Sequence, residues 1–292
     1  MSNQVQATGS ADRVRLGLAL CLFSMLVFAC LDALTKLLVQ DIHIAQVLLV
    51  RYVVFAGFAL IVALRSGGLR LTLRTQHPYL QGLRSLLCLL DVAIFSLALR
   101  YLGLAEAHSL YAVFPLIALA LAGLLLGERI GLHQGVAAVI GFIGTLVILR
   151  PGLSAFDPLL LIPLLAAVDF ALFNIVSRKV GMADSFATNT FYMAFGGLIL
   201  TAGFGIAYWQ PLNAEQWTML LVLSVGGVLA NMLLLQAFKF TPAAMLQPYN
   251  YSLLLFATLV GYFAFGQWPD SWTVVGAILI LLGGLLALRK AG

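Results

Sequence analysis

The sequence predicts an all-α integral membrane protein in which ten transmembrane helices form two inverted five-helix repeats around a central cavity. Three observations support this fold: a composition poor in charge, ten apolar runs of membrane-spanning length, and an internal repeat of five runs. Apolar residues make up 62% of the chain and charged residues only 9%, whereas a soluble domain carries about 25% charged residues. So few charges cannot cover a surface that faces water, and lipid is the solvent that accepts such an exterior.

Residues that would signal other protein classes are sparse. Cys21, Cys30 and Cys88 lie inside apolar runs and show neither disulfide nor zinc spacing, so we expect no metal site and no cofactor. The formal net charge of +5 comes from basic residues that stand one to three at a time between apolar runs. This arrangement is typical of topology signals rather than of a nucleic-acid surface. The expected partners are therefore membrane lipid and a small-molecule substrate, and we expect a monomer that binds no nucleic acid.

Each predicted span holds about 20 apolar residues, because a helix that rises about 1.5 Å per residue must cross about 30 Å of hydrocarbon. A tail of residues 1–13 precedes the first span. The apolar run of this span is longer than the core of a signal peptide, so we interpret it as a membrane helix. Short polar breaks, such as residues 66–68 and 268–270, separate the spans and leave no room for a soluble domain. The ten spans cover residues 14–38, 43–65, 78–100, 103–126, 131–149, 158–178, 185–208, 215–237, 242–265 and 270–288.

The distribution of Lys and Arg predicts the orientation of the chain. With the N-terminus inside, eleven basic residues fall on inner segments and four on outer ends, while Arg84 lies within a span and is not counted. Both termini are therefore predicted to be cytoplasmic, in the inner membrane of a bacterium. The inner set is Arg13, Arg15, Arg65, Arg70, Arg74, Arg129, Arg178, Lys179, Lys239, Arg289 and Lys290, and the outer set is Lys36, Arg51, Arg100 and Arg150.

An internal repeat appears when the chain is shifted on itself by 139 residues. Residues 98–150 then align with 237–289 without a gap, and eleven of the 53 pairs are identical. Gly144 meets Gly283 in this register. The small residues of spans 5 and 10, among them these two glycines, predict close packing of helices.

A shift of 142 residues relates the earlier spans, so that Asp32 pairs with Asn174. The predicted repeats are residues 14–150 and 151–292. Because a unit of five spans is odd, the second copy enters the membrane from the opposite side. Inverted repeats of this kind recur in secondary transporters, with the substrate site near the midplane between the halves.

The sequence resembles a known superfamily in three stretches. They are "YLGLAEAHSLYAVFPLIALALAG" with Pro115 in span 4, "LGERIGLHQGVAAVIGFIGTLVIL" from Leu126 to Leu149, and "FTPAAMLQPYNYSLLLFATLVGYFAFGQ" in the second copy. They are similar to the drug/metabolite transporter (DMT) superfamily, EamA type, and most like its YddG-type exporters of amino acids. The second copy departs from the pattern, since Gln267 stands where Glu is usual and Pro248 comes earlier in the helix.

This resemblance implies a secondary transporter that exports small metabolites, most of all amino acids including aromatic ones, by alternating access. It also implies ten helices with both termini inside. A central cavity would be lined by spans 1, 3, 4, 6, 8 and 9, with spans 5 and 10 packed behind it.

Charged side chains inside a membrane are costly, by about 2.5–3.5 kcal/mol on insertion scales, so each one is a candidate functional residue. Asp32 and Lys36 stand four residues apart on one face of span 1, where they either neutralise each other or face the cavity. Asp91 lies near the middle of span 3 and either faces the cavity or pairs with Arg84 or Arg51.

A third acid, Asp169, lies in the middle of span 6 with no cationic neighbour in sequence, a position that would suit proton coupling. Aromatic faces beside amides suit a small amphipathic zwitterion, so polar residues of spans 4, 6, 8 and 9 join the three acids as candidates for the cavity. The two prolines each remove a backbone hydrogen bond, and we expect their helices to bend during transport. The further cavity candidates are His108, Tyr111, Asn174, Asn231, Gln247 and Tyr251, and the gating candidates are Pro115 and Pro248.

Other functions fit the sequence less well. An ATP-driven pump is disfavoured because no GxxxxGK[ST] loop occurs. Asp91 and Asp169 lack the sequence context of intramembrane proteases, so we expect no enzyme. A channel or scaffold would not need the inverted repeat. An exchanger of phosphate-bearing solutes would need at least two Lys or Arg residues at its site, and the second half has none in the middle of a span.

Overall fold

The structure is a computed structural model that describes residues 2–126, 132–149, 157–181, 183–241, 246 and 249–288. This part of the chain consists of helices joined by short turns and contains no β-strand, which confirms the all-α prediction. The helices, numbered in chain order, are α1 Ser2–Asp41, α2 Ile44–Arg65, α3 Leu69–Thr72, α4 Pro78–Tyr101, α5 Leu104–Tyr111, α6 Phe114–Leu126, α7 Leu132–Leu149, α8 Leu161–Gly181, α9 Phe186–Ala207, α10 Ala214–Phe240, α11 Ser252–Phe265 and α12 Ser271–Leu288. A 3-10 turn at Pro158–Leu160 leads into α8.

Six of the described helices are long and apolar enough to cross a membrane. Four shorter apolar helices of 10–17 residues accompany them, so the count of ten spans stays a prediction. The shorter helices are Leu104–Ala118, Gly135–Leu149, Ser252–Phe265 and Ser271–Leu286. Large apolar side chains point outward, with Phe263 80% exposed and Ile199 74% exposed. Such a surface marks a region of membrane contact.

The first helix is longer than its predicted span. It begins at Ser2, so residues 2–13, which were predicted as a tail, continue the helix. Its apolar part, Val14–Asp41, has 28 residues. That length corresponds to about 42 Å at about 1.5 Å per residue, which exceeds the hydrocarbon thickness of about 30 Å. The excess is accommodated by tilt or by projection into the headgroup region.

The helices begin where polar residues in the predicted breaks can cap them. The Ser185 side chain accepts a hydrogen bond of 3.1 Å from the backbone N–H of Thr188 at the start of α9. At the start of α10, Asn213 and Gln216 form a capping box with reciprocal bonds of 2.8 and 3.1 Å. These bonds satisfy backbone N–H groups that have no partner within the helix, which is why short polar breaks predict the boundaries.

Predicted span 4 is divided into α5 and α6 by a turn at residues 112–113. Pro115 has no N–H to donate to the carbonyl of Tyr111 one turn earlier. The backbone N–H of Leu116 bonds instead to the carbonyl of Val113 at 3.0 Å. The break leaves Tyr111 at the end of α5, directly beside the helices of the second half.

Corresponding helices of the two halves contact each other in opposite directions. A Cβ on Gly144 of α7 would lie 2.7 Å from the backbone oxygen of Gly276 in α12, and a Cβ on Gly283 would lie 2.7 Å from the oxygen of Ala137. Ala137 of α7 thus lies beside Gly283 of α12, and Gly144 lies beside Gly276. Residue numbers rise along α7 where they fall along α12, so the two helices are antiparallel. Only glycine permits this approach of two backbones, which confirms that these glycines serve helix packing.

The same reversal relates α2 to α9. Gly197 packs on the Tyr52 ring, whereas Gly205, which lies further along α9, packs on the earlier residues Leu49 and Ala45 of α2. Counterpart helices of the first and second halves therefore run in opposite directions at two separate places. This is the arrangement that an inverted repeat requires.

Contacts between the halves occur in equivalent pairs: where a helix of the first half packs on a helix of the second, their counterparts in the other halves also pack together. The packing of α1 on α10 corresponds to that of α8 on α4, and the packing of α1 on α11 corresponds to that of α8 on α6. Likewise, α4 on α9 corresponds to α10 on α2. The most extensive contacts all join one half to the other, so the interior of the molecule lies between the halves, where α1, α4, α5 and α8 meet.

Candidate functional site

Two acids of this interior, one from each half, lie on helices that pack against each other. The Tyr111 hydroxyl of α5 donates a hydrogen bond of 3.0 Å to Oδ1 of Asp91 in α4. Asp169 of α8 lies against the backbone of Asp91 and is only 8% exposed. Its Oδ2 atom is buried and has no hydrogen-bond partner among the described residues. A buried carboxylate oxygen without a partner is costly, so this position is suited to a ligand or a proton.

The third acid is held by a histidine. Nε2 of His108 in α5 lies 3.1 Å from Oδ2 of Asp32 in α1, and His108 is 4% exposed. The edge of the His108 ring contacts Phe95, with ring centroids 4.9 Å apart. The guanidinium of Arg51 attracts the same carboxylate electrostatically. Asp32 therefore has a histidine and an arginine beside it, which distinguishes it from the other two acids.

Neither Asp91 nor Asp169 forms a salt bridge with a Lys, Arg or His side chain in the part of the chain that the structure describes. Arg84, a predicted partner for Asp91, instead donates to Ser177 at 2.9 Å and to the Asn189 carbonyl at 3.2 Å. Arg84 is therefore held by residues of α8 and α9 rather than by Asp91.

An aromatic wall, made of rings from both halves, packs beside the acids. Its central contact places Tyr111 and Phe170 with ring centroids 5.6 Å apart. Phe170 also meets Phe114 edge-on at 4.7 Å and stacks on Phe173 at 5.7 Å. The wall consists of Phe95, Tyr111, Phe114, Phe170 and Phe173. Aromatic faces attract cations and planar ring systems.

Lys36 lies four residues after Asp32, nearer the C-terminal end of α1. Its ammonium group is already bound within the protein and is not available to an anion. Its ammonium donates to the backbone carbonyls of Leu99 and Leu102, at 2.9 and 2.5 Å, at the end of α4. It also lies 5.8 Å from the Phe265 ring centroid. The carbonyls at a helix C-terminus favour a cation. Asp32 and Lys36 are therefore each held by a different part of the fold.

The remaining predicted site residues lie away from the acid pair or outside the described residues. Asn174 and Asn231 are exposed and donate to carbonyls of their own helices, those of Phe170 and Gly227, at 2.7 and 2.9 Å. The Tyr251 hydroxyl packs against Gly284 of α12. Their role in binding stays a prediction. Gln247 and Pro248 fall outside the described residues.

At one end of the site, a polar latch joins the segment between α3 and α4 to the segment between α8 and α9. Its hub is Asp184, whose carboxylate accepts hydrogen bonds from Thr75, from the side chain of Gln81 at 2.9 Å and from the backbone of Gln76 at 3.1 Å. Gln81 also donates to Asn189 at 2.9 Å. A surface cavity of about 550 Å³ opens beside these residues.

The electrostatics of the latch keep its carboxylate ionised. Partial burial raises the pKa of the Asp184 carboxyl, but the bonds from Thr75, Gln81 and Gln76, together with the nearby His77, lower it by more. The net result is a pKa below its ordinary value. Donors directed at a carboxylate stabilise its charged form.

Arg84 connects the latch to the aromatic wall. Its guanidinium lies 5.6 Å from the Phe173 ring centroid while its N–H groups bond to Ser177 and Asn189. The Arg84 side chain therefore contacts both the aromatic wall and Asn189, a residue bonded to the latch.

Sequence reasoning did not single out the wall residues of α8 or the latch. Phe170 and Phe173 stand in an apolar run, where aromatic residues look the same whether they face lipid or the interior. Asp184 stands in a short polar break, where a charged residue is expected in any case. Phe170 and Phe173 follow Asp169 by one and four residues, and this helical spacing beside a charged residue is the one signal that could have indicated them.

Comparisons with known proteins agree with this arrangement. The EamA-like transporter family matches the chain twice, at residues 15–150 and 158–289. The chain also superposes on a solved crystal structure with a TM-score of 0.62, covering 94% of this chain and 97% of that one. Sequence identity to that structure is 18%, so the likeness concerns the fold alone.

Curated relatives transport several small metabolites. An S-adenosylmethionine uptake transporter of Rickettsia conorii is 30% identical over 91% of this chain and 90% of its own length. A riboflavin transporter of Vibrio cholerae is 30% identical over 81% and 80%, respectively. A pseudopaline exporter of Pseudomonas aeruginosa is 24% identical over 93% and 95%. These names include both uptake and export.

Proposed function

This chain belongs to the EamA-like transporter family, and on that premise we propose that it transports S-adenosylmethionine or a closely similar cationic metabolite with an aromatic base. It is a transporter of small metabolites and not an enzyme. The observation that carries the proposal is the position of two acids, Asp91 and Asp169, beside a wall of five aromatic rings, with no cationic partner for either acid among the described residues.

The chemistry of such a site matches the chemistry of this cargo. S-adenosylmethionine combines a sulfonium cation, an adenine ring and an amino-acid group. A buried carboxylate attracts the cation, and the faces of Tyr111 and Phe170 suit both the cation and the planar base. The named function of the relative from Rickettsia conorii supports the same cargo.

This proposal refines the predicted amino-acid specificity, because the cargo is itself an amino-acid derivative. It also weighs against phosphate-bearing solutes. The ammonium of Lys36 is occupied by backbone carbonyls, and the guanidinium of Arg84 by Ser177 and Asn189. A phosphate would instead meet the carboxylates of Asp91 and Asp169, which repel it.

We also propose that the protein lies in a bacterial inner membrane with both termini in the cytoplasm, following the Lys and Arg bias. The latch around Asp184 then lies on the cytoplasmic side. The relatives include proteins named for uptake and for export, so both directions of transport are compatible with this family.

The test is uptake of radiolabelled S-adenosylmethionine into proteoliposomes of the purified protein. Unlabelled competitors separate the features of the cargo: S-adenosylhomocysteine lacks the sulfonium charge, phenylalanine lacks the nucleoside, and riboflavin has a ring system without a cation. We expect saturable uptake that is inhibited strongly by S-adenosylmethionine and more weakly by the other three.

The Asp169→Asn variant is expected to lose uptake, whereas Asp41→Asn serves as the matched control because Asp41 is exposed at the end of α1. Uptake of phenylalanine or riboflavin with no competition by S-adenosylmethionine would exclude the proposed cargo while leaving a small-metabolite transporter.

A further inference from the structure

The short helix α3 lies on the surface of the molecule at the level where two membrane helices end. It follows α2, which ends at Arg65, and it packs on α2 and on α9, which begins at Phe186. Both α2 and α9 are long and apolar enough to cross a membrane. Because α3 lies where these helices end, it lies at the depth where hydrocarbon gives way to lipid headgroups.

Several local contacts hold α3 in one position. Gly67 and Gly68 have φ values of 100° and 91°, a conformation that favours glycine, and they turn the chain out of α2. The Thr72 side chain is buried and donates to the carbonyl of Gly68 at 3.1 Å. The Tyr192 hydroxyl of α9 donates to the carbonyl of Leu73 at 3.0 Å. These contacts determine which side chains around α3 remain exposed.

The exposed side chains form a surface that is both apolar and cationic. Leu71 is 55% exposed, and Leu69 and Leu73 are exposed as well. Arg70 and Arg74 lie among these leucines and are also exposed. Water disfavours three exposed leucines, whereas the boundary of a membrane accepts leucine beside acyl chains and arginine beside headgroups. We call these five residues the α3 surface.

The arginines of this surface are available to a ligand. Neither Arg70 nor Arg74 forms a hydrogen bond or an ion pair with another of the described residues, whereas Arg84 is bonded to Ser177 and Asn189. Arg65 is exposed at the end of α2 and adds a third guanidinium to the same segment. A guanidinium binds phosphate oxygens through two parallel N–H bonds, so this surface is suited to a phosphate group.

The cavity of about 550 Å³ beside the latch can hold such a group. Leu71, Arg74, Ser66 and Phe186 contribute to its lining, so a cation, a hydroxyl and apolar side chains border the same space. Asp184 also lines the cavity, and its negative charge opposes an anion. Its carboxylate is already bonded to three donors of the latch, and the arginines of the segment outnumber it. The cavity thus combines the groups that a phospholipid headgroup and the start of its acyl chains require.

We propose that the α3 surface binds an anionic phospholipid, with the phosphate on Arg70 and Arg74 and the acyl chains along Leu71 and Phe186. The leucines favour a lipid over a soluble phosphate, and the unpaired arginines favour an anionic over a zwitterionic headgroup. Arg74 directly precedes Thr75, which donates to the hub of the latch, so the bound lipid lies against the latch. This site is separate from the cargo site and does not depend on the identity of the cargo.

Photoactivatable phosphatidylglycerol tests the site directly. The purified protein is reconstituted in phosphatidylcholine with a small fraction of this probe, and mass spectrometry of peptides locates the labels. We expect labelling within residues 64–76 and 183–188 that unlabelled phosphatidylglycerol reduces and additional phosphatidylcholine does not. Equal labelling of these segments by photoactivatable phosphatidylcholine overturns the preference for an anionic lipid. Competition by soluble glycerol phosphate as effective as that by phosphatidylglycerol overturns the assignment of a lipid in favour of a soluble phosphate.

Variants of the arginines test their part in binding. We expect the double variant Arg70→Gln, Arg74→Gln to raise the fraction of phosphatidylglycerol needed for half-maximal labelling by roughly tenfold or more, because each basic residue at a membrane surface strengthens binding by about fivefold. Arg70→Lys, Arg74→Lys keeps the charge and should retain most of the labelling. Lys239→Gln is the matched control, since Lys239 is exposed at the end of α10. Unchanged labelling in the glutamine variant, or an equal loss in Lys239→Gln, overturns the proposal.

Discussion

At the scale of single residues, Tyr111 has two separate roles. Its ring forms the centre of the aromatic wall, and its hydroxyl donates to Asp91. The end of α5, created by Pro115 four residues later, places it there. The hydroxyl positions the Asp91 carboxylate, and the ring can contact the cargo.

The Tyr111→Phe variant keeps the ring and removes only the hydroxyl. A hydrogen bond to a charged group contributes about 1.5–3 kcal/mol, so we expect kcat/KM for transport to fall by roughly tenfold or more while the protein remains folded. Initial uptake rates in proteoliposomes measure the effect. Tyr101→Phe is the control, because Tyr101 is exposed at the end of α4. Equal losses in both variants would mean that the bond to Asp91 has no part in transport.

Asp184 provides a second residue-scale prediction, this time on stability. Its pKa in the folded protein is lowered, so its stabilising bonds are fully present above the unfolded pKa of about 3.9 and are lost as the pH falls through the folded value. Between pH 5 and 8 the carboxylate stays ionised. We therefore expect Asp184→Asn to lower the melting temperature in detergent by an amount that does not change across this range.

Below pH 4 the difference between Asp184→Asn and the wild type should shrink as the wild-type carboxylate becomes protonated. A difference that instead grew toward low pH would contradict the assignment of Asp184 as the charged hub of the latch. Asp157→Asn is a suitable comparison, since Asp157 caps a single turn before α8 and has no bond to the latch.

Single residues were predicted from the sequence where chemistry made them conspicuous. Asp32, Asp91 and Asp169 stand out because a charge within an apolar run is rare. Their partners could not be predicted, because the contact of Asp32 with His108 spans 76 positions and depends on how helices pack. Aromatic residues such as Phe170 carried no signal, since lipid and a binding site both accept them.

At the scale of secondary-structure elements, the latch joins two interhelical segments that come from different halves of the molecule. Thr75 and Gln76 precede α4, and Asp184 precedes α9. The boundaries of α2, α4, α7, α8, α9, α10 and α12 were predicted to within three residues because the breaks contain capping residues and glycines, whereas the starts of α1 and α11 were not. The turn between α5 and α6 was expected only as a bend at Pro115, and α3 was not predicted, since four residues show no periodicity.

If the latch is a gate, it must open in each transport cycle. We expect the double variant Thr75→Cys, Asp184→Cys to lose transport when a short bifunctional thiol reagent joins the two positions. A cleavable reagent should restore transport on reduction. Each single variant, treated in the same way, controls for reaction at Cys21, Cys30 and Cys88. Full transport by the cross-linked protein would show that this end of the molecule does not open.

At the scale of the whole molecule, the two halves form one interior rather than two. The antiparallel contacts of α7 with α12 and of α2 with α9 follow from the reversed entry of the second copy, which the odd number of spans predicted. The sequence could not predict which helices approach the acids, because the register of packing depends on side-chain shape across the interface.

Orientation in the membrane is the prediction at this scale. We expect a reporter that is active only in the periplasm to be inactive when fused after residue 292 and after Arg70, and to be active when fused within residues 208–213. The reason is the excess of Lys and Arg on the segments assigned to the inside. The opposite pattern of reporter activity would reverse the assignment and place the latch on the outer side.

The packing of first-half helices on second-half helices has a consequence for biosynthesis. Helix α1 packs chiefly on α10 and α11, and α7 packs on α12, which are translated last. The first half therefore enters the membrane before the surfaces that it packs against exist. Insertion and assembly are separate steps in time, and a ribosome that stalled after α7 would leave helices with correct topology but without a stable tertiary structure, exposed to membrane proteases.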